Sequence, residues 1–310
     1  MKLPPDLENE PDAILLRDET VPLIDSRLNP FTVALTLLVG EGAGEHPTGN
    51  GSGVLVQFEG RRFMLTAGHV LREMANAERC AITIRRGMHK FAPPSLGRAE
   101  YRFQKGVLDV GFIELAPSVA STIEANEKMF AGPNTLLVEG RAALVAANDW
   151  MVMAGFPEEV SKKAPHATGY RLVHTSTTLA GCGPAPASVL GPDSHQAVDL
   201  WVPEDIGVYS VTGKLEGNKV PAFAGASGGG AWKAGVRPIR PGIAWNVNNL
   251  KLVAIHVGSS DSVVLNGRST RFAREVLIGH HLRLIADRTP EVRGALFARW
   301  PVLNDPLWAP

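Results

Sequence analysis

GVLVQFEGRRFMLTAGHV, residues Gly53–Val70, carries the pattern on which the fold turns. Two short apolar runs, Gly53–Phe58 and Arg62–Thr66, flank Glu59-Gly60, and such a pair joined by a glycine-containing dipeptide reads as a β-hairpin. The second run ends in the small residues Ala67 and Gly68. His69 then heads a short helical stretch, Val70–Ala77. Outward from this hairpin the same alternation of short runs and turn residues repeats. Phe31–Val39 reads as a strand and Gly40–Gly51 as a glycine-rich loop. Ala81–Arg85, Tyr101–Lys105 and Val110–Leu115 read as further strands. Turn signals at intervals of about 8–12 residues argue for an all-β sandwich or barrel rather than alternating strands and helices.

Ala116–Asn134 is a connecting stretch, with Pro117 suited to a helix start and Ser118–Phe130 partly helical. A second strand-rich region begins near Leu144. Its candidate strands are Trp150–Ala154, Arg171–Ser176, Val198–Val202, Gly230–Lys233, Lys251–Val257 and Ser262–Leu265. Roughly helical spacing of apolar residues predicts a C-terminal helix over Ala273–Ile285. Pro301–Pro310 reads as an irregular tail. Residues 1–30, interrupted by five prolines, read as an N-terminal arm with a short helix around Ala13–Asp18.

Bulk composition narrows the partners. The 310-residue chain balances 31 basic against 31 acidic residues, so no general pull toward nucleic acid or anionic membrane is expected. Cys80 and Cys182 form neither a CxxC motif nor a disulfide framework. They read as reduced thiols in a reducing compartment, a single long-range bridge being the alternative. The N-terminal residues lack an apolar signal core, and no stretch approaches the length of a membrane span. A cytoplasmic protein is the expectation.

Three segments carry chemistry. Leu65-Thr66-Ala67-Gly68-His69-Val70 ends an apolar strand at a histidine. Leu108-Asp109-Val110-Gly111-Phe112-Ile113-Glu114-Leu115 opens an apolar strand with a carboxylate. Phe223-Ala224-Gly225-Ala226-Ser227-Gly228-Gly229-Gly230 sets a serine among glycines, whose backbone freedom lets successive N–H groups face one cavity. Serine-driven acyl transfer needs these groups: a hydroxyl, an imidazole base, a carboxylate to orient it and N–H donors for the oxyanion. The order His, Asp, Ser matters too. The same serine also fits the G-x-S-x-G elbow of α/β-hydrolases. That reading leaves His69 unexplained and needs a helix where three glycines follow Ser227.

Together these segments resemble the chymotrypsin-like (trypsin-like) serine proteases over residues 31–285. The resemblance implies two six-stranded antiparallel β-barrels with an N-terminal arm and a C-terminal helix. Their bounds would be an arm at 1–30, a first barrel at 31–143, a second at 144–272 and a helix and tail at 273–310. It makes His69 the base, Asp109 its orienting carboxylate and Ser227 the nucleophile, with the N–H groups of Gly225 and Ser227 as oxyanion hole. It implies endopeptidase activity on protein or peptide substrates, with neither metal nor cofactor. A catalytically silent binding or regulatory module is the alternative.

Two departures from the family carry expectations. Secreted members hold an Asp just before the nucleophile, which pairs with an N-terminus freed by cleavage; here the position is Ala226. The oxyanion loop is then preformed, or ordered by a regulatory protein partner or the N-terminal arm. Leu252-Val253-Ala254-Ile255-His256-Val257-Gly258 resembles the S1 strand of glutamyl endopeptidases and viral chymotrypsin-like cysteine proteases. That likeness implies an S1 pocket of His256, Ala222, Pro221, Val257 and Gly258, with Glu or Gln preferred at P1. Ala222 stands where glutamyl enzymes carry a hydroxyl, and Pro221 supplies no acid for a basic P1. A buried His256 satisfied by backbone is the other reading.

Overall fold

In the computed structural model of the chain, the described residues are 23–40, 46–84, 87–91, 93–105, 108–147, 151–158, 162–166, 169–173, 177–184, 197–203, 208–210, 213–214, 223–233, 247–259, 263–265 and 268–309. The expected helix at Ala13–Asp18 lies outside them, as do Pro221 and Ala222.

Antiparallel strand is the commonest structure among the described residues. The first half supplies β1 (Thr32–Val39), β2 (His46–Phe58), β3 (Arg61–Thr66), β4 (Arg79–Ile84), β5 (Gly87–Phe91), β6 (Gly97–Gln104) and β7 (Leu108–Leu115). They form one sheet in the order β5-β4-β1-β2-β3-β7-β6. The second half supplies β8 (Met151–Gly155), a separate ribbon of β9 (Lys162–His166) and β10 (Gly169–Val173), then β11 (Thr177–Pro184), β12 (Ala197–Pro203), β13 (Val208–Ser210) and β14 (Gly213–Lys214). It ends with β15 (Gly230–Lys233), β16 (Lys251–Ser259), β17 (Val263–Leu265) and β18 (Arg268–Leu277). Its sheet runs β12-β18-β16-β15-β8-β11-β13-β14 with β17 on β18. β11 also pairs back to β12 at Gly183↔Trp201 and Pro184↔Leu200.

Among the described residues the sheets have seven and nine strands, where two six-stranded units were expected. Short edge pieces, among them β5, β13, β14 and β17, account for the excess. Among the described residues, pairing in the first sheet runs open from β5 to β6.

The expected hairpin is present. Glu59 and Gly60 both have positive φ, 48° and 75°. Two left-handed residues in a two-residue loop match the twist of the flanking strands. The segment 46–51, expected as loop, belongs to β2 instead. Gly49, Gly51 and Gly53 repeat with period two on one strand. A Cβ at each would press on Leu37, Val70 and Met64 respectively, at 3.2, 2.8 and 2.6 Å. These glycines serve close approach, not chain reversal.

Residues 23–28 are helical (α1). The other helices are α2 (Gly68–Met74), α3 (Pro93–Leu96), α4 (Pro117–Ala125), α5 (Arg141–Ala147), α6 (Ile278–Arg288) and α7 (Pro290–Arg299). The C-terminal helix expected from Ala273 starts five residues later, because Arg268–Leu277 is strand β18. The tail is not irregular: Pro301–Asn304 and Pro306–Trp308 are 3-10 turns, and Trp308 is buried over Gly279. None of the described helices is long and apolar enough to cross a membrane.

Two apolar clusters hold this together. One lies within the first sheet and its helices, with Val33, Leu55, Leu71, Ile82 and Ile123. The other joins Val54, Phe63 and Phe112 of the first sheet to Val152, Trp232 and Ile255 of the second and to Ile285 and Val292 of the C-terminal helices. Through it the two sheets share one interior, and the segments bearing His69 and Ser227 meet along that seam.

Candidate active site

Strand β3 ends at Thr66, Ala67 is extended, and α2 begins at Gly68. A Cβ at Gly68 would stand 2.7 Å from the Arg102 carbonyl, 2.8 Å from that of Val110 and 3.1 Å from Asp109 Oδ1. Only glycine lets the chain turn this close to β7. The turn delivers His69 onto Asp109 twice. The His69 N–H donates to Asp109 Oδ1 at 2.8 Å, and Nδ1 lies 2.6 Å from Oδ2. A carboxylate only accepts, so the imidazole proton sits on Nδ1 and Nε2 is left as the basic nitrogen. Phe103, opposite Asp109 in the β6–β7 register, sets its ring at 67° to the imidazole with 6.3 Å between centroids. The Arg72 guanidinium lies over the Phe103 ring at 4.1 Å.

From behind, α6 braces this turn. The buried His281 donates Nε2–H to the Thr66 carbonyl at 3.2 Å. Burial holds its pKa down at about 4, so it stays neutral.

The Ser227 loop is wedged between the halves of the molecule. Its carbonyl accepts from the Ser52 N–H at 2.7 Å. On the other side the Gly228 N–H donates to His256 O at 2.7 Å, and the His256 N–H donates to Gly229 O at 2.8 Å. Gly225 and Gly228 have φ of 78° and 93°. A side chain at Gly228 would collide with the Ser52 carbonyl and with Thr66 Oγ1. Gly51 separates the His69 and Ser227 segments: a Cβ there would touch Val70 and stand 3.4 Å from the Ser227 carbonyl. His69, Asp109 and Ser227 are thus brought to one seam. Among the described residues, Ser227 Oγ and His69 Nε2 share no hydrogen bond.

His256 is 2% exposed, and its Nδ1 lies 2.8 Å from Oε1 of the fully buried Glu275, its cross-strand partner. Neither expectation for His256 included this carboxylate. The Phe223 ring lies 5.6 Å from the imidazole. Val257 sits in a β-bulge, with Gly258 half-buried beyond it. Cys80 is a buried free thiol whose pKa burial pushes up to about 12. Cys182 lies in β11.

Sequence reading missed Ser52, Phe103 and Glu275. Only the first had a usable signal, a lone hydroxyl in the glycine-spaced part of β2. No protein-family model matches this chain, and no curated protein matches it.

Proposed function

We propose that this chain is a serine endopeptidase of the chymotrypsin-like type. The observation that carries the reading is the double engagement of Asp109 by His69, with the Ser227 loop docked on Ser52 of the neighbouring strand β2. The return pairing of β11 to β12 supports reading the second sheet as a barrel with edge additions, and a first barrel would be built from β1–β4, β6 and β7.

In this reading Ser227 Oγ attacks the scissile carbonyl and His69 Nε2 takes its proton, while Asp109 stabilises the imidazolium. The N–H groups of Gly225 and Ser227 receive the oxyanion. His69 then protonates the leaving amine, and a water attacks the acyl-enzyme by the reverse path. The mechanism calls on no metal or cofactor. Resting enzymes commonly close the serine–histidine hydrogen bond only when substrate arrives. His256 would sit at the S1 pocket with Val257, Gly258, Ala222 and Pro221, favouring Glu or Gln at P1. The substrate is protein or peptide, and the expected setting is cytoplasmic.

Profiling cleavage of a peptide library with wild type and Ser227→Ala tests the reading: turnover lost only in the variant supports it. That Ser227 Oγ and His69 Nε2 share no hydrogen bond among the described residues favours a second reading, a silent binding module. Fluorophosphonate labelling of Ser227 in folded protein separates the two, since a silent module stays unlabelled.

A further inference from the structure

We propose that Ser52 is a positioning residue that anchors the peptides adjoining the oxyanion-hole donors of the Ser227 loop, so that competence needs no freed N-terminus. The inference rests on the protease reading above.

An oxyanion hole works only if the N–H groups of Gly225 and Ser227 face the same way. A trans peptide points its N–H opposite to the carbonyl of the preceding residue. Whatever holds the Ala224 and Ala226 carbonyls therefore aims the two donors. The Ala224 carbonyl accepts from the Glu158 N–H at 2.6 Å, and the Ala226 carbonyl accepts from the Gly229 N–H at 2.8 Å. Among the described residues neither the Gly225 nor the Ser227 N–H meets an acceptor. Both are ready for an anion.

The competing arrangement turns the Ala224–Gly225 peptide over, so that a carbonyl fills the hole. Gly225, at φ 78°, opposes this little by itself. The Glu158 N–H on the Ala224 carbonyl restrains that peptide directly, and Ser52 acts on it from outside the loop, through Phe156 and through the adjoining Gly225–Ala226 peptide. The Ser52 hydroxyl donates to the Gly225 carbonyl at 2.9 Å, and its oxygen accepts from the Phe156 N–H at 2.9 Å. Through this one buried hydroxyl, the 156–158 segment and the loop are tied to β2. The Ser52 N–H adds the bond to the Ser227 carbonyl. Position 52 thus grips the loop on both sides of Ala226, itself uncharged and buried. An aspartate at 226 and an N-terminal amine are unnecessary to such a clamp.

The test compares wild type, Ser227→Ala, Ser52→Ala, Ser52→Thr and Glu158→Pro, together with wild type carrying an uncut N-terminal fusion. Readouts are fluorophosphonate labelling rate, kcat and KM on the best library peptide, and affinity for a peptide aldehyde that mimics the oxyanion. Ser52→Ala is expected to melt cooperatively and keep KM within about threefold. Its kcat and aldehyde affinity should fall together by about tenfold to a hundredfold, less than deleting a donor outright. Ser52→Thr should recover most of the loss, and the fusion should label at the wild-type rate. Should Ser52→Ala not fold, Glu158→Pro decides. It removes the backbone donor to the Ala224 carbonyl at an exposed residue and should give the same kcat-selective loss. Unchanged kcat in the folded variant, loss confined to KM, or a fusion inactive until trimmed would overturn the clamp. A wild type that resists labelling overturns the protease reading, and the clamp with it.

Discussion

Both carboxylate oxygens of Asp109 go to His69, one to the backbone N–H and one to the ring. An asparagine has one acceptor oxygen and must abandon one of them. Asp109→Asn should therefore fold but lose about 10⁴-fold in kcat, because the imidazole no longer holds its proton on Nδ1. Single-turnover kinetics beside a melting curve checks it. Gly51 makes a different demand. Its missing Cβ is the gap between Val70 and the Ser227 carbonyl. Gly51→Ala should push the His69 and Ser227 segments apart and, on the protease reading, lower kcat at least tenfold, with a stability loss of about 1–3 kcal/mol from overpacking. A fully active, fully stable Gly51→Ala would contradict that geometry. At this scale the sequence exposed His69, Asp109 and Ser227, because each stands in a short segment of distinctive residue types. Ser52 and Glu275 stayed hidden. Their contacts cross 173 and 19 residues of chain, and nothing in either one's neighbours announces a partner.

Among the elements, α6 has the sharpest solution signature. It buries the adjacent His280 and His281, and burial lowers each pKa from 6.5 to about 4. His280 packs on Trp308, while His281 faces Thr66 and feels the neighbouring His280 and Asp109. Between pH 4 and 6.5 the unfolded chain binds protons that the folded chain refuses. Stability must then fall as pH drops through that window, by up to about 1.4 kcal/mol per pH unit for each histidine. Thermal melts across this range should show the slope, and His281→Gln should flatten it; an unchanged slope would exclude His281 as its source. The strand before α6 shows why element boundaries were only partly legible. Ala273, Glu275 and Leu277 alternate inward along β18, but the middle member is charged. With the alternation broken in the text, the apolar residues from Ala273 to Ile285 fit a helical period instead. The hairpin β2–β3 read correctly because its turn chemistry is local. The glycines of 46–51 misread as loop because their tertiary neighbours, Leu37 and Val70, lie elsewhere in the chain.

On the scale of the whole molecule, one apolar cluster runs from Phe112 through Trp232 to Val292. Neither sheet can lose its packing while the other keeps it. Unfolding in denaturant should be a single transition, with tryptophan fluorescence and far-ultraviolet circular dichroism coincident. Two separated transitions would show that the sheets are independent units. The strand-rich class of the molecule was legible from turn spacing alone. The numbers of strands in the sheets were not, because edge strands as short as Gly213–Lys214 have no pattern to read.

The tight reversal at Glu59-Gly60 has a kinetic corollary. It joins the strand that carries Ser52 and Gly51 to the strand that delivers His69, so the first-sheet side of the seam arises from the shortest loop closure available to these strands. Gly60 has open space around it, and only its left-handed φ of 75° resists a side chain. Gly60→Ala should thus cost about 1 kcal/mol. If this hairpin nucleates the first sheet, stopped-flow measurements will find that loss almost wholly in slower refolding, with the unfolding limb of the chevron unmoved.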